Sequence, residues 1–374
     1  MTAILALPLL LLLATAPLRA QSATLRSADE RRLPSSIVDG NSPGFWTRGI
    51  LNVFTSTGDP IGMSGATLFD LQMDTPPAVF PSTHYPLWIE SAWAESDDVI
   101  YAWYHHEPNS AGVCGNRKLT APMIGALRST DGGRSFEDLG IVLAASEPPD
   151  CRAENGFFAG GHGDFSVILD RQGRYFYFLF GNYGGPAARQ GVSIARMRFD
   201  DRDAPIGAVF KFSDGLWEQP GLGGTVSPIF PARTSWSSSR ADSFWGPAVH
   251  WNTYLQRFVI VMNRACCGEN WPQEGIYLSF GLDLADPSTW SAPRKILDDS
   301  DIGFAPGYYP QIWGLGEGES DTLAGQTARL FVKGVSRWEV NFSLESPPQP
   351  EPPRYQHPPP DTLVPFIAGS RRPF

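Results

Sequence analysis

Three successive segments of the chain decide the fold: Asp164-Phe-Ser-Val-Ile-Leu-Asp170, Tyr175-Phe-Tyr-Phe-Leu-Phe-Gly181 and Gly191-Val-Ser-Ile-Ala-Arg-Met197. Each segment is short, largely apolar and rich in β-branched or aromatic residues, which is typical of a buried β-strand. The turn Arg171-Gln-Gly173 separates the first two segments, so the second strand is expected to run back antiparallel to the first. Together the three segments predict one small antiparallel sheet.

The same three-strand pattern recurs in diverged form elsewhere in the chain. Other copies begin at Trp88, Ala248 and Gln311, and the units span roughly 65 to 80 residues each. A fifth unit is expected from Gly49 to Leu71, closed by another strand from one end of the chain. Repeated small sheets of this kind are typical of propeller blades. The sequence therefore predicts an all-β protein with a five-bladed β-propeller over residues 41–345.

The composition agrees with this fold and narrows the class of partner. Of the 374 residues, 42% are hydrophobic and 12% aromatic, which supplies a large core. The 38 glycines and 34 prolines favour turns and strands over long helices. The formal net charge is −10, and no basic run could follow a phosphate backbone, so we expect no nucleic-acid partner.

The two ends of the chain differ from its middle. Residues 1–20, with an apolar run from Ala3 to Ala16, are interpreted as a signal peptide; an uncleaved anchor is the alternative. After its removal we expect a secreted or periplasmic monomer with no membrane segment. Residues 21–40 are expected to be a flexible leader, and residues 346–374 a Pro-rich, extended tail.

The four cysteines are an even number, as expected for an exported chain with disulfides. The simplest pairing joins Cys114 to Cys151. The adjacent Cys266 and Cys267 form a vicinal disulfide or remain reduced and buried, and the sequence leaves both alternatives open.

A turn sequence carries a resemblance to known propellers. Ser129-Thr-Asp131-Gly-Gly133-Arg-Ser-Phe136 matches the Asp-box pattern Ser-x-Asp-x-Gly-x-x-aromatic and resembles the hairpin turn of sialidase-type propellers. Such a turn needs a side-chain acceptor and a residue that tolerates positive φ. Over about residues 45–345 the strand rhythm also resembles the five-bladed propellers of arabinanase, xylosidase and fructosidase-like glycoside hydrolases. That resemblance implies a glycan or oligosaccharide substrate.

The blade pattern also selects candidate site residues. The first strand of a blade lines the central channel and the second runs back, so first-strand starts and second-strand ends open on one face. Polar and aromatic residues at these positions are Glu90, His105, His106, Glu107, His162, Asp164, Asn182, Tyr183, Asp242, Trp245, Asn263, Arg264, Tyr309 and Gln311.

Glycoside hydrolysis needs a carboxylic acid and a second carboxylate. Glu90 and Asp164 are the leading pair, with Asp164 as the base and either Glu90 or Asp242 as the acid. The remaining candidates are predicted to bind substrate, with Tyr183, Trp245 and Tyr309 stacking on sugar faces. A turn acceptor is the alternative role for Asp164, and core packing the alternative for the aromatic residues.

The sequence predicts no cofactor. Adjacent strand residues point to opposite faces, so His105 and His106 do not share a zinc site. A structural calcium ion held by Asp164 and backbone carbonyls in the channel is an open alternative.

Two further functions compete with hydrolysis. One is a carbohydrate-binding propeller without catalysis, because fold alone does not establish activity; the other is a propeller that only docks proteins. For a hydrolase, the carboxyl oxygens of Glu90, Asp164 and Asp242 are expected within about 5 to 10 Å of one another. An apolar, acid-free channel mouth would favour docking instead.

Overall fold

Five sheets follow one another along the chain and form the five-bladed β-propeller that the sequence predicts. A computed structural model describes residues 20–35, 38–81, 83–108, 113–115, 118–269, 271–302 and 308–345. The predicted signal peptide, apart from Ala20, and the predicted Pro-rich tail lie outside these residues. Gln21–Ser343 form one compact unit. Within the described residues, no helix is long and apolar enough to cross a membrane.

The strands in chain order are β1 (Ala20–Arg32), β2 (Gly44–Thr47), β3 (Ile50–Ser56), β4 (Pro60–Gly65), β5 (Gln72–Met73), β6 (Ala78–Phe80), β7 (Leu87–Ala94), β8 (Ile100–His106), β9 (Met123–Ser129), β10 (Ser135–Leu143), β11 (His162–Leu169), β12 (Tyr175–Asn182), β13 (Gly191–Arg198), β14 (Val209–Ser213), β15 (Leu216–Pro220), β16 (Phe230–Pro231), β17 (Ser243–Asn252), β18 (Arg257–Ala265), β19 (Gln273–Gly281), β20 (Arg294–Asp298), β21 (Pro310–Gly314), β22 (Leu323–Ala324), β23 (Thr327–Val332) and β24 (Val335–Glu345). The described helices are short: 3-10 helices at Ala187–Arg189, Phe199–Asp201 and Pro287–Thr289, and α1 at Asp299–Ile302.

Each sheet is one blade. Blade 1 comprises β2 to β5, blade 2 comprises β6 to β10, and blade 3 comprises β11 to β16. Blade 4 comprises β17 to β20 with β22, and blade 5 comprises β21, β23, β24 and β1.

Strand β12 shows why the inner strands have continuous apolar sequences. Phe176, Phe178 and Phe180 pack into a core shared with Trp103 of blade 2. The alternate residues, including Tyr177 and Leu179, pack into a second core shared with strands of blade 4. A blade is therefore covered by a neighbour on both faces, and both sides of its strands are apolar.

The closing strand is placed differently from the prediction. Residues 44–73 do form a blade, but it has four strands of its own, whereas β1 pairs with β24 and completes blade 5. The Oγ atoms of Ser22 and Ser343 lie 2.6 Å apart across this seam. The prediction of a flexible leader was therefore wrong over β1. This outer strand is polar and mostly exposed, so it lacks the apolar signal that marks the inner strands.

Small polar side chains join neighbouring inner strands. Asn41 Nδ2 donates to Phe165 O (2.8 Å) and to Pro247 O (3.2 Å), which links the segment before β2 to blades 3 and 4. The other joins are Ile89 N–H to Ser56 Oγ (3.0 Å), Val167 N–H to Ser91 Oγ (2.9 Å) and Val249 N–H to Ser166 Oγ (3.2 Å). These bonds fix the inner strands that carry the site.

The turn between β9 and β10 uses the residues that stood out in the sequence. Asp131 Oδ1 accepts the backbone N–H of Ser135 at 2.9 Å, and Ser129 Oγ accepts that of Gly133 at 2.9 Å. Gly132 and Gly133 have φ angles of 78° and 90°, which side chains with a Cβ seldom adopt. The turn therefore has a structural role in blade 2.

Lys211 on β14 is fully buried, and its side-chain amine joins two loops by hydrogen bonds. Its Nζ donates to Ala144 O at 2.7 Å and to Gly223 O at 2.5 Å. Burial lowers the pKa of Lys211 to about 7. We expect Lys211→Met to lower the free energy of unfolding by about 2 kcal/mol near pH 10, where the buried amine is neutral and its burial costs least, because two loop carbonyls lose their donor.

Urea denaturation measures this change in stability. The control is Arg198→Met, because the Arg198 side chain is 66% exposed and its loss should cost little. An unchanged unfolding midpoint for Lys211→Met near pH 10 would show that the hydrogen bonds of the buried amine contribute no net stability.

Candidate active site

The inner strands of blades 2, 3 and 4 are each bulged near their first residues. The pairing register shifts at Glu90 in β7, at Asp164 in β11 and at residues 246–247 in β17. A bulge re-aims the side chain of the extra residue. Asp164 has a φ of 43°, in the left-handed region that Asp tolerates better than most residues. Two carboxyl groups are thereby directed to the same end of the inner strands.

Glu90, His105 and Asp164 form a buried cluster there. They are 2%, 4% and 4% exposed, and one ligand atom from each lies within 4.8 Å of the others. Nδ1 of His105 lies 3.5 Å from Glu90 Oε1 and 3.2 Å from the backbone N of Asp164. Glu90 Oε2 accepts the backbone N–H of Phe165 at 2.8 Å, and the Tyr183 hydroxyl donates to Asp164 Oδ2.

Two glycines allow this close packing. A Cβ on Gly163 would lie 2.7 Å from Cε1 of His105, and a Cβ on Gly40 would lie 3.0 Å from Oε1 of Glu90. Gly40 also has a φ of 143°, which favours glycine. Any larger residue at Gly163 would displace the imidazole from the two carboxyl groups.

Burial controls protonation of the two acids. Burial raises the pKa of Asp164 to about 7; the neighbouring His105 opposes this shift and the charge of Glu90 adds to it. Burial likewise raises the pKa of Glu90, against the influence of His105. Two carboxyl groups this close disfavour double ionisation, so one of them retains a proton near neutral pH.

His105 links this pair to a third carboxylate. Its Nε2 lies 3.4 Å from Oε1 of Glu107. Burial opposes the charged imidazolium, but Glu107 and Glu90 outweigh it and raise the pKa of His105 well above its ordinary value. Burial acts to raise the pKa of Glu107, yet His105 holds it below the ordinary value. Glu107, whose side chain is 24% exposed, is thus the ionised carboxylate of the group.

The cluster lies at a cavity of about 280 Å³. The lining residues are Asp39, Trp88, Glu90, His105, Glu107, Lys118, Thr120, Gly156, Phe157, Phe158, Asp164, Trp245, Trp271, Tyr308 and Tyr309. Aromatic walls with a few polar groups are typical of small-molecule sites. Larger grooves occur on the surface, but their lining residues include none of the three clustered side chains.

A disulfide and two backbone bonds hold part of the rim. Cys114 and Cys151 are bonded, as the sequence predicts, with their Cα atoms 5.4 Å apart. Thr120 N–H donates to Phe157 O at 2.8 Å, and Ala159 N–H donates to Thr120 O at 2.7 Å. These bonds bring the segment that contains Lys118 beside Phe157.

The adjacent cysteines lie on another part of the rim. Cys266 and Cys267 are bonded to each other, so the structure contains the vicinal disulfide and not the reduced pair. The backbone N–H of Cys266 donates to Pro272 O at 3.0 Å. This bond closes the loop that carries Trp271, whose φ is 56°.

The structure brings together half of the predicted residues. Six of them line the cavity: Glu90, His105, Glu107, Asp164, Trp245 and Tyr309. Tyr183 does not line it but holds Asp164. One carboxyl oxygen of Glu90 and one of Asp164 lie within 4.8 Å of each other, which is shorter than the roughly 5 to 5.5 Å of a retaining glycosidase or the roughly 6.5 to 9.5 Å of an inverting one.

Asp242, which the sequence predicts as a candidate acid, lies outside the cavity lining. Its two carboxylate oxygens accept hydrogen bonds from Arg264 at 2.9 and 3.0 Å, and neither residue lines the cavity. Asp242 precedes β17 and bridges Thr234. The rule that located strand ends could not show that these two opposite charges neutralise each other.

Other residues that were predicted to bind substrate lie outside the cavity lining and contact neighbouring protein groups. His106 points away from His105, and its Nδ1 lies 3.1 Å from Pro86 O. Gln311 exchanges hydrogen bonds with the backbone of Ser42 at 2.7 and 3.2 Å. The rest are His162 beside Gly161 O, Asn182 donating to Arg189 O, and Asn263, buried within β18.

Sequence analysis missed the remaining lining residues, which are Asp39, Trp88, Lys118, Thr120, Gly156, Phe157, Phe158, Trp271 and Tyr308. Most lie on connections between strands, where no periodicity indicates orientation. Two signals were available: Phe157-Phe158 lies in the glycine-containing connection after Cys151, and Trp271 follows the adjacent cysteines.

Glu90, His105 and Asp164 each offer one atom of a type that ligates metal ions, and these atoms lie within 4.8 Å of one another. Nδ1 of His105 already lies 3.2 Å from the backbone N of Asp164 and 3.5 Å from Glu90 Oε1, so ligation by that atom would require these contacts to change. The calcium alternative and the expectation of no cofactor both stay predictions.

No family model matches the chain, and no curated protein matches it in sequence. Among solved structures it is similar to an endo-arabinase from Bacteroides thetaiotaomicron, with 10% identity over 84% of this chain and 97% of that one and a TM-score of 0.48. It is also similar to an exo-β-1,3-galactanase from Phanerochaete chrysosporium, with 11% identity over 86% of this chain, 63% of that chain and a TM-score of 0.48. The chain thus spans less than two thirds of the galactanase. The five-bladed fold itself rests on the sheets described above.

Proposed function

We propose that the chain hydrolyses a glycosidic bond in this cavity, with Asp164 as the general acid. The observation that supports this most is a nearly buried carboxyl group with a pKa of about 7 beside an aromatic-lined cavity. Such a group holds a proton near neutral pH and can give it to a leaving oxygen. This role reverses the sequence-based assignment of Asp164 as the base, because burial and Glu90 keep its proton bound.

Two other carboxyl groups complete the proposed chemistry. Glu107 is the ionised, partly exposed carboxylate and is proposed to activate water or to attack the anomeric carbon. Glu90 has one oxygen bonded to Phe165 N–H and the other beside His105. It is therefore a positioning residue that raises the pKa of Asp164.

We further propose that the protein acts outside the cytoplasm as a secreted monomer. The Cys114–Cys151 disulfide supports an oxidising compartment. The acidic cavity lining argues against the protein-docking alternative, which expects an acid-free mouth.

The experiment is a screen of the purified protein against arabinan, xylan, galactan, fructan, sialoside and chitosan substrates. We expect new reducing ends from one class, and their loss in Asp164→Asn. Asp200→Asn is the matched control, because the Asp200 side chain is 80% exposed. Cleavage that persists in Asp164→Asn would assign the acid to another residue.

The pH dependence of kcat/KM gives a further prediction. Asp164 must be protonated, so the rate should fall as pH rises through about 7. Glu107 must be ionised, and its lowered pKa places the acidic limb below the range of an ordinary glutamate. Glu90→Gln removes a like charge and should move the alkaline limb to lower pH. A rate that increases through pH 7 would contradict this assignment.

Binding without catalysis is the second candidate. Glu90 is 2% exposed with both oxygens close to other groups, and a cluster this enclosed could serve only to shape a sugar-binding cavity. Glycan binding by both wild type and Asp164→Asn, with no reducing ends from any substrate, would establish this alternative.

A further inference from the structure

The charges around the cavity restrict the ligand. Four carboxyl groups line it, from Asp39, Glu90, Glu107 and Asp164, against two basic side chains. His105 lies between Glu90 and Glu107, so Lys118 is the one other cation that the described lining offers. With Asp164 protonated and His105 charged, three carboxylates face two cations, and the remaining negative charge favours a cationic ligand over a sugar acid.

Three aromatic rings form a corner of the same cavity. The ring centroids of Trp245 lie 5.2 Å from those of Tyr308 and 5.6 Å from those of Tyr309, with the planes at 75° and 79°. Tyr308 and Tyr309 are 6.1 Å apart at 76°. Aromatic faces at right angles attract a cation from several sides.

A carboxylate and a lysine lie next to this aromatic corner. The Tyr309 hydroxyl donates to Oδ1 of Asp39 at 3.5 Å, so a carboxylate lies next to the rings. Nζ of Lys333 is 5.8 Å from the Tyr308 ring centroid, and a cation of the protein therefore already occupies the vicinity of that ring. Trp245, Tyr309 and Asp39 are left for a ligand.

One buried donor in the cavity wall has no hydrogen-bond partner in the part of the chain that the structure describes. Trp271 lines the cavity and is 7% exposed, and its indole N–H has no hydrogen-bond partner among the described residues. A buried donor without a partner costs free energy that a ligand oxygen can recover.

We propose that the site takes a glycan with an unacetylated, protonated amine, a hexosamine unit whose ammonium group lies between Asp39 and the faces of Trp245 and Tyr309. A sugar hydroxyl accepts the hydrogen bond from Trp271. This inference rests on the proposed function, because it names the substrate class of the same cavity.

Calorimetry with three oligosaccharides tests the proposal. Asp164→Asn is used as the protein, since Asn imitates the protonated carboxyl group and prevents turnover. We expect the glucosamine tetramer to bind at least about tenfold more tightly than the N-acetylglucosamine or glucose tetramer, as one charge-assisted hydrogen bond predicts. Equal or weaker binding of the amine would overturn the proposal, and equally tight binding of spermidine would overturn the assignment to a sugar.

Further substitutions in the Asp164→Asn protein test which residues bind the amine. Asp39→Asn should remove the preference for the glucosamine tetramer, while Asp200→Asn should keep the preference. Trp271→Phe should weaken all three tetramers to a similar degree. A preference that survives Asp39→Asn would overturn the role of Asp39.

The two proposals can fail separately. Hydrolysis of a neutral glycan without any preference for the amine would refute the ligand class and leave hydrolysis standing. Tight binding of the amine with no cleavage of any glycan would refute hydrolysis and leave the ligand class standing.

Discussion

Asp164→Asn is expected to lower kcat/KM by about 100-fold or more, the scale of a positioned proton donor, with little change in melting temperature. Asn has the size of Asp, tolerates the φ of 43° and can still accept the hydrogen bond from Tyr183. Only the proton donor is lost. Activity on the substrate found in the screen and a thermal unfolding curve measure the two effects.

Asp200→Asn removes an exposed carboxylate from blade 3 and should leave both measurements unchanged. If Asp164→Asn unfolds the protein, Asp164 has a structural role in the bulge. If turnover is intact, Glu90 becomes the acid to test, because burial raises its pKa as well and Asp242 is paired with Arg264 away from the cavity.

Replacing both Cys114 and Cys151 with serine should lower the free energy of unfolding by about 3 to 4 kcal/mol, the chain-entropy value for a loop of this length. The two cysteines are 37 residues apart in sequence, so the bond removes much freedom from the unfolded chain. Glycan affinity should fall as well, because the bond holds the rim segment with Lys118 and Phe157. Urea denaturation and calorimetry measure the two changes.

The vicinal disulfide supplies a matched comparison. Cys266 and Cys267 are adjacent, so their bond closes almost no loop. Replacing both with serine removes the same number of sulfur atoms but changes the entropy of the unfolded chain much less. Equal destabilisation by the two double substitutions would contradict the loop-entropy explanation.

The fold could largely be predicted because propeller blades are covered on both faces. That arrangement requires continuous apolar strands such as β12, and these strands stand out from the turns in the sequence. The closure could not be predicted from the same signal. β1 is an outer strand with little buried surface, so its sequence is polar and resembles a linker.

The site could be predicted in part for a related reason. Strand starts and ends follow from periodicity, and this rule located Glu90, His105, Glu107 and Asp164. It could not show which side chains would neutralise one another, as Asp242 and Arg264 do. Nor could it place residues on connections, such as Asp39 and Trp271, because disulfides and backbone bonds bring those segments to the cavity.

Cleavage of the responsive glycan in water enriched in heavy oxygen tests the central claim most directly. If Asp164 is the acid of a hydrolysis, each new reducing end should contain one labelled oxygen from water. Mass spectrometry should detect this product with wild type and with Asp200→Asn, but not with Asp164→Asn. Reducing ends without the label, or the same labelled product from Asp164→Asn, would contradict the account.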